Sequence, residues 1–400
     1  MSGVISDNTV RSSGQVAPLT SATTDANDPA RDTNPTDGLG TKWINTTSGQ
    51  IFICTDATTD ANEWVGQTGT TIQPRILFSG GNSDYLGEHD WNYATKIAFM
   101  TFITPDTLGN AASFGNLMNT NQYFAGTSNG VSDRGVYGGG CTDANCPANE
   151  MQYITCSTLG NAIDFGDLTE ARVQPGACSN GTTDRGCWSA GGVTGVDVAT
   201  DRIDYVTIST TGNATDFGDL VNAREYTASL SNGTNDRGIS GGGIQDGGTP
   251  HLNEIDYWTI STPGNASDFG NLTNIRMNMA TASNDTDNRG LFMAGSYAGS
   301  YSDVIDYITI NTTGNATDFG DMDGADMGYG AGSARGHPGG GSSGLGQKGM
   351  IAGGYTSVSG VSNWYDDIRY VTISTPGNGT LFGDLIYRAY GPAGLDNTFV

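Results

Sequence analysis

Three histidines, His89, His251 and His337, are the only imidazoles in a chain of 400 residues, and no two stand at metal-ligand spacing. No G-x-S-x-G segment sets a serine nucleophile on a turn with an ordered histidine partner. The chain therefore reads as a non-enzyme. Carboxylates are plentiful, with 42 Asp and Glu, so paired carboxylates for glycan hydrolysis stay open as an alternative. The residues best suited to recognition are aromatics on variable loops: Tyr85 and Trp91 in one, Tyr297 and Tyr301 in another, Tyr355, Trp364 and Tyr365 in a third. Such side chains give large contact area at low entropic cost. These seven are the candidate ligand-binding residues, and the competing reading is that they pack onto their own sheets. Asp84, Glu88, Asp90, Asp366 and Asp367 accompany them. Those carboxylates suit sugar hydroxyls or Ca²⁺, and no other cofactor or metal is expected.

Other chemistry-bearing types read as scaffold because they recur. Arg75, Arg134, Arg185, Arg237 and Arg289 occupy one repeated position, with Lys348 in the sixth copy. A carboxylate clamp of the sialidase kind needs arginines in only a few copies, so structure is the expected role. The N-x-T/S triplets at Asn213, Asn265, Asn315 and Asn378 belong to a repeated turn. The recurrent D-F-G lacks every companion of a kinase motif. Six cysteines are present. Cys156 takes a slot that is Ile208, Ile260, Ile310 and Ile373 elsewhere, which suits a small buried apolar residue. Cys178 and Cys187 flank one hairpin turn, and Cys141 and Cys146 lie in one loop, so either pair can be bridged or free.

The elements that position these residues come from a repeat. Phe-Gly occurs at Phe114, Phe165, Phe217, Phe269, Phe319 and Phe382, at steps of 51, 52, 52, 50 and 63 residues. Five residues before each Phe stands a Gly-Asn, from Gly109 to Gly377. Repeats of this period mean a propeller or an array. Each copy offers four strand-like runs. In one copy these are 228–232, 237–243, 255–262 and the D-F-G-x-L segment around Phe269. The third run, I-D-Y-x-T-I-S-T, alternates as a half-buried strand does. Four strands per unit of about 50 residues make a propeller blade.

With Gly242-Gly243, Tyr257, Phe269 and Arg276 in this order, the unit resembles the kelch repeat, Phe replacing the family's Trp. Arg172 and Arg224 match the repeat Arg, whereas Asn121 and Asp326 depart from it. The resemblance implies a fold, an all-β six-bladed kelch-like propeller over 71–400, and no particular function. Gly80-Gly81 has no first strand before it, and residues 388–400 read as a first strand with no second after it. Joined, they complete a sixth blade and leave no open edge.

Ahead of the repeats, residues 1–38 are polar and aperiodic and read as an extended or disordered arm. Residues 39–70 read as a hairpin, with strands around Trp43 and Phe52, a T-T-S-G link, and Trp64 folded over them. The pattern W-x-N-x-x-S-G-x-I-F-x-C-x-D followed by Trp resembles a small module found near the N-termini of bacteriophage tail-fibre and other virion proteins. That resemblance implies a virion protein (fibre, spike or head-surface) made in a host cytoplasm. Residues 1–70 would bind other virion proteins, and the chain would be present as an oligomer or in many copies. Its propeller would bind a host-surface glycan or protein, or else serve a purely architectural role. The net charge of −25, with Lys42, Lys96 and Lys348 the only lysines, excludes a nucleic-acid partner. No apolar run is long enough for membrane insertion.

Overall fold

A computed structural model describes residues 22–30, 32–46, 51–66, 75–83, 95–105, 107–130, 133–181, 183–193, 198–232, 235–284, 287–322, 334–343, 347–358 and 361–397. The chain divides into two compact units, Met1–Gln73 and Pro74–Val400. No α-helix occurs among the described residues, so none can cross a membrane.

The first unit is a four-stranded sheet of Thr23–Asp25, Lys42–Asn45, Ile51–Asp56 and Glu63–Gly66, in that order. The expected hairpin is present, with Trp43 opposite Phe52. Trp64 is buried beside Phe52 and Cys54, and its ring meets Trp43 edge-on at 5.9 Å. The arm departs from expectation. Thr23–Asp25 pairs in parallel with Trp43–Asn45, and the Trp43 indole N–H donates to the Asn27 carbonyl. Asn34 donates to Asp60 at 2.7 Å, so Thr23–Asp25 and Asn34 are tied to this unit.

The second unit holds six four-stranded antiparallel sheets, five of them in simple sequence order. The second sheet is Ala125–Ser128, Arg134–Gly138, Glu150–Thr155 and Ile163–Asp167. The third is Gly176–Ser179, Arg185–Ser189, Arg202–Thr207 and Thr215–Asp219. The fourth and fifth repeat the pattern from Ala228–Leu230 and Ala280–Asn284, and the sixth from Gly339–Ser342 to Thr380–Asp384. The first sheet draws on both ends of the unit. Its first strand is Ala393–Asp396, paired with Ile76–Ser79, followed by Phe99–Ile103 and Ala112–Asn116. Asn397 Oδ1 accepts the Arg75 N–H at 2.7 Å and pins that joint.

Each sheet is apolar on both faces because each is covered twice. Six buried clusters lie between consecutive sheets, such as Ile239, Ile255 and Phe269 of the fourth against Phe292 and Ile308 of the fifth. The last of them joins Met350, Ile368 and Phe382 of the sixth to Ile76, Phe78 and Ile103 of the first. Fully burying one such side chain contributes roughly 1.5–3 kcal/mol.

The repeated motifs are the joints between sheets. Each repeat Phe lies edge-on to the aromatic of the third strand, as Phe269 does to Tyr257 at 6.0 Å. The glycine after it permits close approach. A Cβ on Gly218, whose φ is +146°, would stand 2.5 Å from the Gly264 carbonyl oxygen of the next sheet. The following Asn of each Gly-Asn accepts a backbone N–H from the fourth strand of the preceding sheet, as Asn265 does from Asp219 at 3.2 Å. Asn110 closes the series by accepting from Asp384 at 3.0 Å. The arginines bridge in the same sense. Arg237 donates to the Ile310 carbonyl of the next sheet while its guanidinium covers the Tyr257 ring of its own at 4.7 Å. Lys348 donates to the Pro105 carbonyl, so the sixth sheet holds the first as the others hold their successors.

A second set of arginines is buried. Arg172, Arg224, Arg276 and Arg335 pair with Asp204, Asp256, Asp306 and Asp367 at 2.6–2.8 Å, all almost fully covered. Arg335, not Asp326, fills the repeat position in the sixth sheet; the longer connection ahead of it had displaced it in the sequence register. In the second sheet both partners are neutral. Asn121 donates to the Gly139 carbonyl as Arg276 does to Ala294, and Gln152 accepts the Met118 N–H. A charge buried without its partner is strongly destabilising, so both members change together.

Cys141 and Cys146 form a disulfide, whereas Cys178 and Cys187 face each other across a strand pair as buried free thiols. Cys156 is fully buried, as its slot among isoleucines implied.

Candidate functional site

The first strands of the six sheets touch one another in order, and that of the sixth touches that of the first. They consist almost wholly of Gly, Ala, Ser and Thr, and the reason is steric. A Cβ on Gly394 would lie 1.8 Å from the Gly340 carbonyl oxygen, and one on Gly176 would lie 2.1 Å from Ser229 Oγ. Two small cavities, of about 120 and 100 Å³, lie among all six first strands.

At one end of these cavities stand six equivalent residues, each two positions ahead of a first strand: Tyr123, Gln174, Tyr226, Asn278, His337 and Gly391. All six have left-handed φ, between 56° and 70°. Backbone bonds link them, Asn278 N to the Tyr226 carbonyl at 3.0 Å, His337 N to Asn278 at 3.1 Å and Gly391 N to His337 at 3.0 Å. The conformation favours Gly and Asn and disfavours bulky side chains by roughly 1–2 kcal/mol. Two tyrosines and a histidine nevertheless occupy it.

These three border a cavity of about 270 Å³ together with Tyr301, Tyr355 and Tyr390. The rings form one connected set. His337 lies 4.6 Å from Tyr390, 5.5 Å from Tyr123 and 6.0 Å from Tyr226. Tyr355 contacts Tyr390 at 5.4 Å and Tyr301 at 5.5 Å. The Tyr123 hydroxyl donates to that of Tyr390 at 2.9 Å. Burial pushes the Tyr123 phenol up to about 12 and also raises Tyr301 and Tyr390, so these tyrosines are neutral. Burial lowers His337 to about 3, so its imidazole is neutral too. Glu225 and Asn278, both buried, also border it. The Asn278 Nδ2 makes no hydrogen bond among the described residues.

The seven residues expected from the sequence divide. Tyr85 and Trp91 lie outside the described residues, as do Asp84, Glu88 and Asp90. Tyr301 and Tyr355 line the cavity. Trp364 is buried behind them, paired with Tyr355 across a two-stranded hairpin and packed on Tyr390 at 5.6 Å. Tyr365 is buried beneath the Arg335 guanidinium at 4.3 Å. Tyr297 is 47% exposed and meets His251 edge-on at 5.0 Å. The expectation of exposed aromatics is corrected for Tyr355, Trp364 and Tyr365, which are buried, the first and second by their own hairpin Tyr355–Val358 and Val361–Trp364. The Ca²⁺ reading loses Asp367, which is held by Arg335 and Arg369. No group of three or more His, Cys, Asp or Glu able to hold a metal occurs among the described residues.

Tyr123, Tyr226, Asn278, His337 and Tyr390 were missed. Four of the five sit two residues after the position of the repeat Arg, but the residues on either side vary between copies as much as they do, so the sequence does not single them out. No family model matches the chain, and no curated protein matches it.

Proposed function

We propose that residues 75–397 form a six-bladed, kelch-like β-propeller, and that the chain is a virion protein whose propeller recognises a host-surface glycan or protein. The propeller reading is supported by the six buried clusters and by the Lys348 and Asn110 bonds that carry the series from the sixth sheet back to the first. In such a body the first strands surround the axis, and the connected aromatics stand at one mouth of it.

The observation that carries the recognition role is the occupancy of the left-handed positions. Three of the six, Tyr123, Tyr226 and His337, carry rings on this left-handed backbone and bring them together around one cavity. Strain retained at a concave aromatic site is the mark of a binding surface. The N-terminal sheet, which carries the pattern resembling virion modules, acts as the attachment element.

The test is incorporation and attachment. A chain beginning at residue 75 is expected to fold and to be missing from purified particles, while particles carrying Tyr226→Asn assemble normally and attach poorly. Normal incorporation of the truncated chain would remove the attachment role, and normal attachment by the substituted particles would remove the recognition role.

A further inference from the structure

We propose that the cavity bordered by Tyr123, Tyr226, Tyr301, His337, Tyr355 and Tyr390 binds a quaternary ammonium group, such as the trimethylammonium end of choline, displayed on the host surface. The proposal rests on the recognition reading and specifies its site and its ligand class.

The lining offers rings rather than hydrogen bonds. Tyr123, Tyr226, Tyr301 and His337 are each half-buried, so each keeps part of its surface open. The polar tips are engaged or covered. The Tyr123 hydroxyl donates to that of Tyr390, and the Tyr301 and Tyr355 hydroxyls bond one another. A Cβ on Gly192, which is no part of the lining, would meet the Glu225 carboxylate, so that carboxylate is turned away from the cavity. The Asn278 Nδ2 is covered. A ligand that needs several hydrogen bonds, such as a sugar, therefore finds few partners here. A quaternary ammonium has no N–H of its own to leave unpaired.

Charge decides between that cation and an apolar group of the same shape. The π-system of a neutral phenol attracts a cation, which an aliphatic wall does not, and the rings outnumber the aliphatic side chains Ile244 and Met277 in the lining. No Lys or Arg lines the cavity, and burial lowers His337 to about 3, so no positive charge opposes the ligand. The chain's net charge of −25 adds a field that draws cations in. The same charge balance disfavours a sialic acid, a uronic acid or a phosphate, which find no counter-charge. The cavity, of about 270 Å³, admits a trimethylammonium group together with the arm that carries it.

Tyr301→Leu keeps an apolar side chain and removes a ring. Tyr226→Asn removes a second ring at a left-handed position that Asn accepts. The assay is titration NMR on the full-length protein, with choline and with 3,3-dimethylbutan-1-ol, its uncharged carbon isostere. Melting temperatures of the variants are recorded alongside. Choline is expected to bind at least tenfold more tightly than the isostere. Its affinity should fall tenfold or more in Tyr301→Leu and in Tyr226→Asn, with melting unchanged. Tyr301→Phe, which restores a ring without the hydroxyl, should recover most of the loss. Equal binding of the two probes overturns the proposal, as does choline binding that both ring-removing variants retain. No binding of choline also overturns it. Phosphatidylcholine vesicles and a polysaccharide bearing phosphocholine separate the two sources of the group. Retention on either supports the proposal and identifies the source, whereas retention on neither overturns it. Particle attachment to host cells separates the two levels of the reading. Attachment that saturating choline does not inhibit overturns this site and leaves recognition standing, whereas particles that never attach remove recognition and the proposal with it.

Discussion

Replacing Arg276 by Met isolates the buried charge pairs. Arg276 and Asp306 are almost fully covered, and the guanidinium makes three bonds, to Asp306 at 2.6 Å and to the carbonyls of Ala294 and Val304 at 2.9 and 2.6 Å. Met fills much of the volume but leaves a carboxylate held, among the described residues, by the Thr273 N–H and hydroxyl alone. Removing one partner of such a pair costs about 3–5 kcal/mol. The chain carries its own neutral version of the site in Asn121 and Gln152. The double substitution Arg276→Asn with Asp306→Gln should therefore recover part of the loss, leaving about 1–2 kcal/mol and a coupling energy of at least about 1 kcal/mol. Urea unfolding followed by circular dichroism measures both, provided the slope with denaturant is unchanged. A single variant within about 1 kcal/mol of wild type, or a double variant no better than the single, would refute the assignment of these pairs as essential joints.

Two further perturbations follow from the same geometry. His337 has its pKa lowered from 6.5 to about 3 by burial, so the unfolded chain binds more protons than the folded one between those values. Stability should fall as pH drops from about 6.5 towards 3, by at most about 5 kcal/mol at 1.4 kcal/mol per unit, and by less because the residue is partly exposed. His337→Asn keeps the left-handed backbone and should flatten that slope in pH-dependent melting; an unchanged slope would rule out His337 as its source. Gly218→Ala should cost at least about 2 kcal/mol, because a Cβ there meets the Gly264 carbonyl oxygen at 2.5 Å. Gly212→Ala, which meets nothing within 4 Å, should stay within about 0.5 kcal/mol in the same denaturant titration.

The six-fold grammar was legible because the joints between sheets reuse the same residues. Phe-Gly, Gly-Asn and the second-strand arginines recur since each solves one contact six times. The first strand at the C-terminal end was legible for the same reason, as a unit missing at one end and present at the other. The site was not legible. Aromatics on variable loops were taken as exposed, but a four-residue hairpin strand pairs Tyr355 with Trp364 and turns both rings inward. The converging residues come from five separate copies, and four of them share a left-handed backbone conformation that sequence spacing does not display. The N-terminal strand Thr23–Asp25 was hidden by its parallel pairing, which has no hairpin turn to announce it.

The central claim is that the six sheets close on themselves through Ala393–Asp396. That strand supplies the backbone partners of Ile76–Ser79, and Leu395 fills the cluster between the first and second sheets. The direct measurement is thermal unfolding of the chain lacking residues 388–400, with and without a synthetic peptide of that segment. Closure predicts a large fall in melting temperature on deletion and its recovery as the peptide concentration rises, since a ligand that binds only the folded state stabilises it by mass action. An unchanged melting temperature after deletion, or a fall that no concentration of peptide reverses, would contradict it.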